Sequence, residues 1–130
     1  MDAQTRSNIM AALQSEAFAC ARYTLMAAEA RSEGDVPAAE LLEGISRIDS
    51  TEHFAELGKL VGLVGGDADN LVAAINEESR EREESYRLFA QQARAAGDYE
   101  VADLFERIRA DKRDAVRALE GELERLEVPA

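Results

Sequence analysis

Cysteine is nearly missing from this chain, with Cys20 standing alone. A single cysteine excludes an intramolecular disulfide and any Cys-x-x-Cys metal knuckle. Proline is almost as scarce: one sits just inside a helical pattern at Pro37 and one in the tail. Histidine occurs once, as His53. Positive charge is in short supply, since 15 Lys and Arg face 27 Asp and Glu, for a net charge of −12. Such a surface repels phosphates, so neither nucleic acid nor an anionic membrane is expected as a partner. No apolar run approaches ~20 residues, so no membrane-spanning helix is expected. The opening Met-Asp-Ala-Gln lacks the charged-then-apolar pattern of a signal peptide, and a cytoplasmic location is expected.

What is present is helix-forming. The 130 residues suit a single domain spanning 1–130, long enough for a hydrophobic core without metal or disulfide staples. Hydrophobic residues make up 46% and charged residues 32%, a globular balance. Alanine, leucine, glutamate and arginine dominate, all good helix formers. Gly-Asp recurs at Gly34-Asp35, Gly66-Asp67 and Gly97-Asp98. Glycine suits the left-handed residue that ends a helix, and aspartate suits the N-cap of the next. Pro37 follows the first of these marks, where a missing N–H costs little. The spacing predicts helices over about 4–32, 37–64, 69–96 and 99–127, with helix content well above three quarters. Short connections make sequence neighbours antiparallel, so the expected fold is all-α, an antiparallel four-helix bundle.

Two apolar stripes contain a carboxylate. In the first helix the stripe is Ile9, Leu13, Cys20, Tyr23 and Ala27, with Glu16 at its centre. In the third it is Leu71, Ile75 and Phe89, with Glu78 in the matching place. Buried carboxylates are costly unless paired or bound to metal. The plain structural alternative is a pair of glutamates held by arginines such as Arg22 or Arg82. The halves also look like a repeat, because Glu16 precedes Tyr23 by seven residues and Glu78 precedes Tyr86 by eight. One extra residue in the third helix suggests a π-bulge, which would turn Glu81 inward. Without the bulge Glu81 is an ordinary surface residue.

The second helix shows a similar slip. Ala38, Leu42 and Ile45 define one stripe, while Leu57, Leu60 and Val64 define another, rotated by ~100°. The upstream frame points Asp49 and Glu52 at the core; the downstream frame points Ser50 and His53 there. A bulge between Ile45 and Leu57 would let Asp49 and His53 both face in. The alternative for His53 is a half-buried polar residue on a flank. In the fourth helix the stripe is Val101, Phe105, Ile108, Leu119, Leu123 and Leu126, with Lys112 and Ala115 in its middle.

The run Glu16-Ala-Phe-Ala-Cys-Ala-Arg22-Tyr23-Thr24 resembles the E-x-x-A-x-x-R-Y-T signature of the rubrerythrins, a branch of the ferritin-like proteins. The run from Asp67 to Ala90 is similar to the third-helix signature of short rubrerythrins; it contains Asn70-Leu71, Ala73-Ala74-Ile75, Glu78-x-x-Glu81, Tyr86 and Phe89-Ala90. The resemblance covers nearly the whole chain. It implies a ferritin-like bundle holding two metal ions, with glutamates from helices 1 and 3 and Glu-x-x-His from helices 2 and 4. Carried over, Glu16, Glu78 and Glu81 match. Helix 2 offers Asp49 and Glu52 or Ser50 and His53, depending on register. In helix 4 the motif positions become Lys112 and Ala115. The four-cysteine rubredoxin domain has no counterpart, so a rubrerythrin-like peroxide reductase would need an external electron donor.

Two functions follow. In the first, Glu16, Asp49, His53, Glu78 and Glu81 hold one or two ions of iron, manganese or zinc. Oxygen-rich ligands with one imidazole suit iron or manganese acting on peroxide or dioxygen. Tyr23 or Tyr86 would donate hydrogen bonds or an electron. In the second, Lys112 replaces the metal's charge and the protein is a non-catalytic, metal-free bundle with a structural or partner-binding role. Ferritin-like iron storage would need a shell-forming assembly that the sequence does not reveal. Leu57, Val61 and Leu63 make helix 2 apolar on more than one face, and a homodimer is expected.

Overall fold

Helix ends come first, because they set which residues meet. In the computed structural model, which describes residues 1–127, the Asp2 carboxylate caps the first helix by accepting from the Thr5 amide at 2.7 Å. Helix α1 then runs Ala3–Ser32 without interruption. Gly34 adopts φ +82°, and Asp35 accepts from the Ala38 amide at 3.1 Å to start α2, Val36–Ile48, with Pro37 in its first turn. A π-helical turn, Asp49–Phe54, joins α2 to α3, Ala55–Leu60, so that the three form one continuous second rod. The third rod repeats the plan. Helix α4, Asp67–Arg80, passes through a π turn, Glu81–Ser85, into α5, Tyr86–Ala95. Gly97 at φ +85° closes that rod, and α6 runs Tyr99–Glu127. Helices cover 89% of the described residues, above the three quarters expected, in four rods with no strand among them. The tail proline lies outside the described residues.

The middle Gly-Asp mark behaves differently from the other two. The left-handed glycine there is Gly62, at φ +64°, which ends the second rod at Leu60 and not near Val64. Gly66 is extended, at φ −71° and ψ 169°, and itself occupies the N-cap of α4, with Asp67 and Asp69 in the first turn. Acidic residues there meet the positive end of the helix dipole. The outer marks compress ending and capping into two adjacent residues, whereas the middle connection spreads them over Val61 to Gly66.

The chain divides into two compact units, Met1–Val64 and Gly65–Ala130. The first is a hairpin of α1 against the second rod. Its core is Ile9, Leu13, Ala27, Ala30 and Ala39, with Ser46 and Asp49 as buried polar members. The stripe of α2 runs through Ala39, Leu42 and Ser46: Leu42 is as expected, Ala39 and Ser46 take the places of Ala38 and Ile45, and Ile45 is exposed. The cause is a hydrogen-bonded seam. Ser46 Oγ donates to the Cys20 carbonyl at 3.0 Å and lies 3.1 Å from Thr24 Oγ and 3.3 Å from Cys20 Sγ. Small residues at this seam let the two helices approach, and the hydroxyl finds partners that an isoleucine would exclude. An exposed bidentate pair, Arg31 to Glu43, holds the far end of the hairpin.

The second unit is a hairpin of the third rod against α6. Ala90, Ala102 and Val116 are its buried residues, so the α6 stripe starts from Ala102, and Val101 is exposed. Tyr86, Phe89 and Phe105 stack edge-on and tilted, with ring centroids 5.6 to 6.0 Å apart. Among the described residues, no helix is long and apolar enough to cross a membrane.

Candidate metal centre

In the first unit, the long uninterrupted α1 brings Glu16 to the buried side, half-exposed, one turn beyond Leu13. The opposing rod supplies its residues through the π turn. In a regular helix one extra residue rotates everything after it by about 100°. The π turn at Asp49–Phe54 absorbs that residue. Asp49 therefore keeps the frame of α2 and is buried, while His53 takes the frame of α3. Glu52 and Ser50, the other members of the two frames, are exposed, and so is His53, whose side chain is 52% exposed; of the two residues expected to face in, only Asp49 is buried. His53 Nδ1 lies 3.4 Å from Glu16 Oε2 and 3.4 Å from Asp49 Oδ1. The single Nδ1 position can donate to one carboxylate at a time. Donor atoms from Glu16, Asp49 and His53 all lie within 4.8 Å of one another, and the group could hold a metal ion. A cavity of about 230 Å³ opens beside Glu16, lined by Ala17, Cys20, Ala21, Ser50 and Phe54.

The second unit uses the same device to a different end. The π turn at Glu81–Ser85 brings Glu81 to the side already occupied by Glu78, and both are partly buried. Their partner is the ammonium of Lys112 from α6, at 2.9 Å from Glu78 Oε2 and 2.6 Å from Glu81 Oε2. Lys112 Nζ also lies 5.4 Å from the centroid of the Tyr86 ring. Burial would lower the Lys112 pKa, but the hydrogen bonds and charges of Glu81 and Glu78 outweigh it and hold the group well above the ordinary lysine range. Asp111 and Asp114 are exposed, and Ala115 is half-buried.

The candidate residues thus fall into two groups: Glu16, Asp49 and His53 in one hairpin, Glu78 and Glu81 with Lys112 in the other. The arginine alternative is not what the helices use. Arg22 is exposed, and Arg82 pairs with Glu83 at 2.6 Å. Tyr23 is half-buried in α1, two turns on from Glu16, and Tyr86 belongs to the aromatic cluster under Lys112. Two supporting residues carried no sequence signal. Ser46 looks like an ordinary surface serine, and its role depends on the partner helix. Arg109 Nε donates to the Arg82 carbonyl inside the second π turn at 3.0 Å and so ties α6 to that turn. One of many arginines in an acidic, arginine-rich helix gives no hint of this.

Among curated proteins, none matches the chain. A family model described as Rubrerythrin matches residues 7–114, which reach from α1 to the middle of α6 and include both π turns and both carboxylate groups. With its all-α content and four rods of the ferritin-like type, the chain belongs to the rubrerythrin family.

Proposed function

We propose that this protein binds a first-row transition-metal ion through Glu16, Asp49 and His53, and that it uses the ion in redox chemistry on peroxide or dioxygen. The observation that carries this reading is the convergence of one imidazole and two carboxylates within 4.8 Å, reached through a π turn. Donor atoms bound to one ion at roughly 2.0–2.2 Å stand roughly 3–3.5 Å apart. The two 3.4 Å separations at His53 Nδ1 fit that spacing. Nitrogen and oxygen donors with no thiolate suit iron, manganese or zinc. Bound iron or manganese would supply the one-electron chemistry that these side chains lack.

The chain's own residues do the rest. Glu16 and Asp49 carry the negative charge that offsets a divalent cation, and Asp49 is the more buried of the two. The cavity beside Glu16 admits a molecule as small as peroxide, which is not much larger than a water of about 30 Å³. Reducing peroxide to two waters consumes two electrons and two protons, and an external protein or small-molecule donor supplies the electrons. Tyr23 is the proposed hydrogen-bond or electron donor on the α1 side. Of Leu57, Val61 and Leu63 only Leu63 is exposed, while Leu60 and Val64, expected in the stripe of the second helix, are exposed instead; with Leu63 they keep a homodimer within this reading.

The test is metal content. Protein purified without chelator is expected to carry iron, manganese or zinc, and to lose it in His53→Ala and Glu16→Ala. Added metal should raise the melting temperature of the wild type alone. At a hundredfold excess over Kd the gain is about 2.7 kcal/mol, several degrees for a chain of this size. Wild type without metal and without a melting shift would remove the redox reading. That result would favour a metal-free structural protein, a second reading supported by the Lys112 ion pairs.

A further inference from the structure

We infer that Lys112 is a built-in cation standing where the family resemblance implies a second metal ion, so that the chain takes one ion and not two. The inference deepens the metal-binding reading of the first unit by fixing its stoichiometry, but its observations lie wholly in the second. The two-metal pattern requires Glu78 and Glu81 to spend their oxygens on a cation. They already do, since the Lys112 ammonium contacts one oxygen of each, at 2.9 and 2.6 Å. A metal ion bound by those same oxygens would come within contact distance of a positive charge. The ammonium has three donor directions. Two are used by the glutamates, and the ion lies 5.4 Å from the Tyr86 ring centroid, within range of its electron-rich face.

The residue type fits the role. The chain has 15 basic residues, and only Lys59 and Lys112 are lysines. Where most of the positive charge is guanidinium, this position holds a compact ammonium, the side chain closest to a metal ion in shape and charge density. The Lys112 side chain is 16% exposed, the least of any basic side chain in an ion pair among the described residues. The group is therefore held as an internal structural cation and not as part of a solvated face. The second unit fails the metal fit that the first passes.

Equilibrium dialysis against Zn(II), with metal per chain counted by mass spectrometry, separates the possibilities. Wild type is expected to take about one ion and His53→Ala none. Lys112→Gln frees Glu78 and Glu81 and should add an ion, best seen as a rise from zero to about one in His53→Ala/Lys112→Gln. Two ions in the wild type, or no rise in the double variant, would overturn the inference. Zero in the wild type with one in Lys112→Gln would remove the metal site of the first unit, and with it the count of one, but would uphold Lys112 as the cation of the second. A measurement on unmodified protein covers failure of the variants to fold. Reductive methylation with formaldehyde should dimethylate Lys59 at least tenfold faster than Lys112, as mapped by peptide mass. Equal rates would show that the Lys112 ammonium is not held by its glutamates, and would overturn the inference as surely.

Discussion

At the scale of single residues, the molecule handles buried carboxylates in two ways. Asp49 and Glu16 meet an imidazole, while Glu78 and Glu81 meet an ammonium. The second arrangement has a defined pH signature. The folded Lys112 pKa is raised above its unfolded value. Its stabilisation is therefore fully present below the ordinary lysine range, about 10.4, and is lost as pH climbs through the higher folded value. Urea midpoints of wild type and Lys112→Gln should differ by the same amount at pH 7 and pH 9, and the gap should narrow only in stronger alkali. Breaking a fully buried pair costs ~3–5 kcal/mol. Here Glu78 and Glu81 keep 30% and 26% exposure, so a cost on the order of 2 kcal/mol is expected. A gap that closes between pH 7 and 9 would show that another group carries the effect. Glu16, Glu78 and Lys112 were all legible in the sequence, because each interrupts an apolar stripe with a charge. Ser46 and Arg109 were not, because a serine or arginine becomes informative only when the carbonyl it serves is known.

At the scale of elements, the π turns are what make both carboxylate groups. Their presence could be read from the sequence as a mismatch of frames: the apolar stripes on either side of residues 45–57 do not line up, and the Glu-to-Tyr spacing is one longer in the third rod than in the first. The neighbouring errors have the same origin. The α2 stripe was expected through Ile45 because isoleucine outranks serine in hydrophobicity, yet the hairpin seam selects Ser46 for its size and its hydroxyl. Likewise Gly66 carried the same Gly-Asp letters as Gly34, and only the backbone distinguishes an extended cap from a left-handed one. The seam makes a prediction of its own. Ala39 is fully buried against α1. Ala39→Leu should overpack the contact and cost about 1–3 kcal/mol, seen as a lower urea midpoint with an unchanged slope. A neutral result would mean that the hairpin closes less tightly than its hydrogen bonds indicate.

At the scale of the whole molecule, charge of one sign dominates. A net charge of −12 on 130 residues repels itself, and the exposed ion pairs such as Arg31–Glu43 and Arg80–Glu77 return little of that cost. Salt weakens both effects, and the excess of like charge is the larger. The melting temperature is therefore expected to rise as sodium chloride is added from low ionic strength to about 0.15 M, where the screening length is about 8 Å. A fall would mean that the ion pairs outweigh the repulsion. The Lys112 ion pairs have a further meaning at this scale. An ammonium joined to the polypeptide cannot be chelated, exchanged or oxidised away. The second hairpin therefore keeps this counter-charge whatever metal the surroundings hold.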